Sequence, residues 1–349
     1  MKKIIALLLC LTMLSLTGCS LLKKKEADTD ADTDNSSDIV IEKEEKKENS
    51  INPLTGLEID KDKLDCRPVG VMINNINIAQ PVQTGVNKAD IVYETEVEGG
   101  ITRLLAIFKD ITAVNQLGTV RSARYPYVDL SLGHDAVYIH CGQDPKYCTP
   151  HLKDIDHISI GPGVCGGKRI PNGLASEHTL YTFGDKLLEG IKDKKIRTTA
   201  DNNDSWQDFA KEGEEVSLTD GAANKISVSF STSYKTVFNY DTNKQKYTRS
   251  FGTTVRTDYV TKDTTDVKNL FVLLTNIRDY SDGYHRQVDL IGGDGYYFSN
   301  GSYAKIKWSK GDAKNAFRFT DLNGNKLKVN AGNSWVCIAD KGTSQPVIE

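Results

Sequence analysis

The chain has 349 residues, with 44 Lys and Arg against 47 Asp and Glu, for a formal net charge of −3. A near-neutral total lacks the basic field that nucleic-acid binders carry, which sets that class aside and leaves room only for a local basic cleft. The length beyond the amino-terminal region suffices for one large domain or two ordinary ones with a sizeable core.

In chain order, Lys2 and Lys3 precede the apolar run Ile4 to Leu16, the layout of a secretory signal peptide. The run is shorter than the roughly 20 residues that a membrane-crossing helix needs. It ends on Leu16, Thr17, Gly18 and Cys19, which resembles the lipobox of bacterial lipoproteins. The expectation is cleavage after residue 18 and a diacylglyceryl thioether on Cys19, whose two chains suffice for durable anchoring on the extracytoplasmic side of the cell membrane. Residues 19–52 are rich in charge and nearly free of aromatics, so they read as an acidic, disordered tether. Within it, Glu42 to Glu48 has the composition of a solvated helix.

The body opens with Val69 to Ile73, a short β-branched run that suits a buried strand. Asp90 to Val97 alternates. Ile91, Tyr93, Thr95 and Val97 fall on one face, and the carboxylates Glu94, Glu96 and Glu98 on the other, along a strand edge or cleft. After Gly99 and Gly100, the run ITRLLAIF is apolar on both faces, as in an interior strand, with Arg103 its one charge. Pro126 marks an early helical position in a helix running to about Gly133. If that helix begins at Arg121, Arg121 and Arg124 share its first turn and, with the free amides there, suit an anion. A strand over Asp135 to His140 follows, then a Gly- and Pro-rich loop to Gly173, read as a movable cover. A helix over about Thr182 to Asp193 comes next, with Phe183, Leu187, Leu188 and Ile191 on one stripe.

From about Lys225 the pattern changes to short strands split by Asp282-Gly283, Asn300-Gly301 and Asn323-Gly324 turns. In SYAKIKW, Ala304, Ile306 and Trp308 face in while Lys305 and Lys307 face out. The expected fold class is therefore α/β (α+β): an N-terminal domain over 53–200 with a mixed sheet and helices, and a C-terminal antiparallel β-rich domain over 225–345.

Together, YETEVEGGITRLLAIF (Tyr93 to Phe108), GTVRSAR (Gly118 to Arg124), YVDLSLGHDAVYIHCG (Tyr127 to Gly142), EHTLYT (Glu177 to Thr182), DLIGGDGYYFSNG and NAGNSW resemble the YerB-like family of bacterial lipoproteins. The resemblance covers about Asn52 to Val336, and the family has no established molecular function. It implies that the recurrent polar residues are Glu94, Glu98, Thr102, Arg103, Arg121, Ser122, Arg124, Asp129, His140, His178 and Tyr181. The sequence departs from the family at Tyr125, which separates the RSAR motif from Pro126.

These residues are read as a pocket for an anionic or sugar-like envelope ligand, or as a closed salt-bridge network tying strand to helix. No GxSxG, HExxH or GxxxxGK[ST] motif is present, and GPGVCGGKR has Pro162 and Arg169 where a phosphate loop needs Gly and Ser or Thr. No cofactor is expected. Of seven cysteines, Cys66, Cys141, Cys148, Cys165 and Cys337 lie in the folded body. Their number is odd, and outside the membrane a disulfide can form, with Cys148 to Cys165 the first choice and Cys141 to Cys148 the second, against isolated buried thiols. His140, Cys141, Cys148, His151, His157 and Cys165 crowd one region, but without CxxC or HxxxH spacing, so no metal is expected. The reading is a membrane-anchored binding module whose partner is a cell-wall component or a membrane wall-synthesis protein. An envelope hydrolase or transferase acting on phosphorylated or glycosylated precursors is one alternative, and a structural scaffold is another.

Overall fold

The computed structural model describes residues 49–349; the signal segment, Cys19 and nearly all of the tether lie outside the described residues. Val69–Asn74 (β1), Ile91–Glu96 (β2) and Thr102–Phe108 (β3) are buried along their whole length. Near-continuous apolar runs such as β1 and β3 are what a strand covered on both faces requires, whereas β2 reaches the same burial with Glu94, Thr95 and Glu96 inside it.

Tyr125–Leu132 (α1) follows, with proline in its first turn, then Val137–His140 (β4) and His157–Ser159 (β5). The glycine-rich stretch after His140 is thus interrupted by β5, which pairs in parallel with β4, so the expected unbroken loop is pinned to the sheet. Gly184–Asp193 (α2) starts two residues later than the sequence suggests, because Leu180–Thr182 is a strand whose Tyr181 and Thr182 pair with Gly118 and Leu117.

In the second half, Lys225–Ser229 (β6), Lys235–Asp241 (β7), Lys246–Phe251 (β8) and Thr254–Val255 (β9) form an antiparallel meander. Asn269–Thr275 (β10), Gly292–Ser299 (β11), Ser302–Ser309 (β12) and Ser334–Asp340 (β13) complete the main strands. The β11–β12 hairpin turns on Asn300 and Gly301, with φ of 51° and 73°. Positive φ at both positions is the demand of the tight turn whose twist matches its strands, and Asn-Gly meets it. Ile306 and Trp308 are buried while Lys305 and Lys307 are exposed, as their alternation requires.

The fold is α+β, and its centre is one large mixed sheet in the order β12-β11-β10-β13-β2-β3-β1-β4-β5. β13, from the end of the chain, is parallel to both β10 and β2 and carries the sheet from one half of the sequence into the other. Side chains alternate across it: Trp335, Cys337 and Ala339 enter one apolar cluster with the meander and α2, while Val336 and Ile338 enter a second with α1.

Candidate functional site

β1, β2 and β4 run parallel, so their carboxyl ends share one edge of the sheet, where α/β proteins commonly bind ligands. The segment from Gly118 to Arg124 is laid across this edge. Arg121 N donates to Met72 O at 3.0 Å, Cys141 N to Arg121 O at 3.0 Å, and Ala123 N to Gly142 O at 2.9 Å. These bonds keep the segment extended, and the helix begins only at Tyr125, with Arg124 at φ −135° and ψ 145°. Arg121 and Arg124 therefore do not share a helical turn, which corrects the expectation from their spacing.

The residues singled out in the sequence separate into distinct groups. Glu98, Arg103 and Arg124 form a closed ionic cluster. Arg124 Nε donates to Glu98 Oε2 at 2.7 Å and its Nη2 to Oε1, while Nη1 donates to Ala123 O at 2.8 Å. Arg103 Nη2 donates to Glu98 Oε1 at 3.0 Å and its Nη1 to Ser122 O. Burial works against ionisation of Glu98, but the Arg124 hydrogen bonds and the charges of Arg103 and Arg124 win and hold its carboxyl at about 2. Burial and the neighbouring Arg124 pull Arg103 down to about 10.

Glu94 is elsewhere. Its Oε1 accepts from Asn75 Nδ2 at 3.0 Å, Thr102 Oγ1 at 2.9 Å and Thr236 Oγ1 at 2.9 Å, and its Oε2 accepts from Trp335 Nε1 at 3.1 Å. Burial raises its pKa, opposed by Arg249 and those hydrogen bonds. Glu96 pairs with Arg286 at 2.7 Å. The three carboxylates thus line no common cleft, and β2 is an interior strand between β13 and β3 rather than an edge.

Arg121 is half-buried and spends one donor, Nη1, on Glu177 O at 3.2 Å. His178 accepts from Asn74 Nδ2 on Nδ1 at 2.9 Å and pairs through Nε2 with Glu177 at 3.1 Å. Its burial and the charge of Arg121 lower its pKa against the pull of Glu177. His140 donates from Nδ1 to Gly142 O at 2.8 Å and meets His157 Nδ1 through Nε2 at 2.9 Å; burial, then His157, lowers it to about 4. Asp129 faces His151 at 3.4 Å, and its pKa is raised by burial. Tyr181 is fully buried, with its hydroxyl donating to Val82 O at 3.0 Å. Ser122 enters through its carbonyl.

The expected disulfide is not formed. Cys66, Cys141, Cys148, Cys165 and Cys337 are all free thiols. Cys148 is buried in the cluster on the α1 side of the sheet, whereas Cys165 packs against the cluster on the other side, over Gly190 of α2. The sheet itself separates them.

A large open concavity lies at the opposite edge, before the amino ends of β1, β4 and β5. It is a groove of about 1060 Å³. Its wall includes Trp206, Phe317 and Phe319, and its rim carries the exposed cations Lys153, Lys314, Arg318 and Lys326, which have no ion-pair partner among the described residues. Arg67 is spent on Asp156 at 2.6 Å and on Asp135 O at 2.7 Å, and Lys109 donates to Asn203 at 3.0 Å. His134 meets Tyr93 OH through Nε2 at 2.6 Å and stands edge-on to Trp206 at 5.6 Å. Burial, then Lys310, lowers its pKa to about 3, so the ring is neutral. The buried phenol finds an acceptor only if it donates to Nε2, which leaves Nδ1–H without a protein acceptor among the described residues. Sequence reasoning missed this groove because its cations come from separate segments. The legible signal was Trp206, a lone aromatic directly after the polar stretch Asp201 to Ser205.

This fold and sheet edge define a two-part family. A model described as the N-terminal domain of a protein of unknown function (DUF3048) matches residues 54–197, and its C-terminal counterpart matches residues 226–336. The chain belongs to the YerB-like family. It is 29% identical over 271 residues to the protein of Bacillus subtilis (strain 168) named "Putative lipoprotein YerB", spanning 74% of this chain and 77% of that one. The crystal structure of YerB from Bacillus subtilis superimposes with a TM-score of 0.74 at 28% identity, covering 85% of this chain and 99% of that chain.

Proposed function

We propose that this protein is an extracytoplasmic binding module, held to the cell membrane through a diacylglyceryl group on Cys19, that recognises an anionic cell-wall polymer in the groove before the amino ends of β1, β4 and β5. One observation carries the reading: an open groove of about 1060 Å³ with an aromatic wall has on its rim four cations without an ion-pair partner among the described residues, which outnumber the two exposed carboxylates there, Asp154 and Asp204, that likewise have none. Aromatic faces suit the sugar or glycerol backbone of such a polymer, and the exposed rim cations suit its repeated charges. The Glu98–Arg103–Arg124 cluster has its carboxylate taken up by both arginines and serves as the tie between β2, β3 and the start of α1. The tether of residues 19–52 sets the reach from the membrane, and the two stretches 53–200 and 225–345 act together through their common sheet.

The test uses the full chain in detergent micelles with poly(glycerol phosphate) as the probe. Exchanging Lys314 and Lys326 together for Glu weakens binding by roughly tenfold or more, and the wild-type affinity falls steeply with added salt. Equal binding by the double variant overturns the groove assignment. Radiolabelled palmitate enters the wild type and is absent from Cys19→Ala; label retained in that variant overturns the anchor.

A further inference from the structure

Arg249 on β8 and Arg256 just after β9 stand opposite each other. Ser250 pairs with Val255, and Arg256 N donates to Arg249 O at 2.9 Å, so the alternation of the pleat places both arginine side chains on one face. Like charges in directly opposed positions repel. Both residues are buried, at 1% and 9% exposure.

Arg249 is partly satisfied. Its Nη1 donates to Gln83 Oε1 at 3.2 Å, its Nη2 to Asn75 Oδ1 at 2.7 Å, and its guanidinium lies 4.9 Å over the Trp335 ring. Its Nε has no partner. Arg256 lies 5.2 Å over the Phe251 ring and makes no side-chain hydrogen bond or ion pair among the described residues, and its Nε is buried and unpaired.

The balance of charge is as unusual as the hydrogen bonding. Glu94 reaches Arg249 through the amide of Asn75, which donates to Glu94 and accepts from Arg249. The influences on Arg256 are burial, then Arg249, which lower its pKa, and Tyr234, which raises it; no carboxylate is among them. Arg256 thus has no carboxylate partner among the described residues, and a buried guanidinium beside a second one is costly until a counter-charge arrives.

We propose that Arg256, flanked by Arg249, forms a binding site for a singly charged oxyanion, a phosphodiester or a carboxylate. The guanidinium fork of Arg256 takes two oxygens of the guest, and the guest's charge neutralises the pair. The site shares no residue with the groove and stands without it.

The test is thermal unfolding of the full chain in detergent micelles, titrated with dimethyl phosphate, acetate or chloride at matched ionic strength. The melting temperature rises saturably with one or both oxyanions above the chloride control, and the arm that responds names the guest. In Arg256→Gln the half-saturating concentration increases by roughly tenfold or more, whereas exchanging Lys314 and Lys326 for Glu leaves the response in place. Should Arg256→Gln fail to fold, Arg256→Lys keeps the charge but loses the fork, and shows a weakened response. No rise above chloride in the wild type overturns the proposal, and so does an undiminished response in Arg256→Gln. A variant that simply melts higher than an unresponsive wild type identifies Arg256 as an uncompensated charge with no guest.

Discussion

Glu98 and Arg124 grip each other through both carboxylate oxygens, with Arg124 Nε 2.7 Å from Oε2 and Nη2 on Oε1, while Arg103 shares Oε1 from the strand behind. A forked pair of this kind fixes orientation as well as charge. It joins the end of β2 to β3 and to the residue that starts α1. Removing the carboxylate strands two arginines in a place with little water, and breaking a buried pair from one side costs about 3–5 kcal/mol. Glu98→Gln is therefore expected to lower unfolding free energy by about 3 kcal/mol, read from the urea midpoint. A loss within error of zero refutes the structural role of the cluster.

Acidity offers a second check because two carboxyls, the buried Glu98 and the half-buried Asp90, act with opposite sign. The folded pKa of Glu98 sits at about 2 against an ordinary 4.5, so its contribution is present above 4.5 and is lost as pH falls through 2. Asp90 is raised from 3.8 to about 6, first by burial, against hydrogen bonds from Lys109 N and Asn52. Its contribution is fully present below 3.8 and is lost as pH rises through 6. The urea midpoint is expected to carry a downward slope between pH 4 and 6 that becomes shallower in Asp90→Asn, while the loss below pH 4.5 becomes smaller in Glu98→Gln, each against the remaining contribution of the other shifted carboxyls.

Much of the fold is legible in residue patterns, and the exceptions have physical causes. The runs at Val69 and Thr102 read as strands because they are covered on both faces, the run at Ile91 reads as one because it alternates, and Asn300-Gly301 reads as a hairpin because its backbone admits little else. Two-sided burial also misled the reading of the carboxylates. Alternation in Asp90 to Val97 places Glu94 opposite Tyr93, but it does not reveal that the second face is also interior, with Thr236 and Trp335 waiting there. The spacing of Arg121 and Arg124 suggests a helical turn only when the bonds to Met72 O and Gly142 O, made by distant strands, are out of view. Arg256 carries no local mark, since its isolation depends on what its neighbours from other elements lack.

Tyr127 shows how α1 is fastened. Its hydroxyl lies 2.9 Å from Thr95 O and 2.6 Å from Arg103 O, and it accepts from Thr95 N at 3.2 Å. The side chain is wholly buried. Tyr127→Phe removes the buried hydroxyl that bridges the ladder partners Thr95 and Arg103, at a cost of about 1–3 kcal/mol. The expected result is a drop of about 2 kcal/mol in urea unfolding with the far-ultraviolet spectrum unchanged. No measurable drop would mean that the two strands do not depend on the helix.

The free thiols give a prediction that involves neither stability nor ligand. Cys148 and Cys165 lie against opposite faces of the central sheet, so no side-chain rearrangement brings their sulfurs together. Burial pushes the Cys148 thiol up to about 12 and raises Cys165 and Cys337 as well, so little reactive thiolate forms at neutral pH. Cys148 and Cys337 are buried, while Cys66, Cys141 and Cys165 are partly accessible. Iodoacetamide is expected to reach the partly accessible three first and to label Cys148 and Cys337 only once urea unfolds the chain. Peptide mapping without reductant should recover Cys148 and Cys165 as separate alkylated peptides. A linked peptide containing both would require β4, β5 and α2 to be arranged differently, with the two thiols on one side of the sheet rather than divided by it.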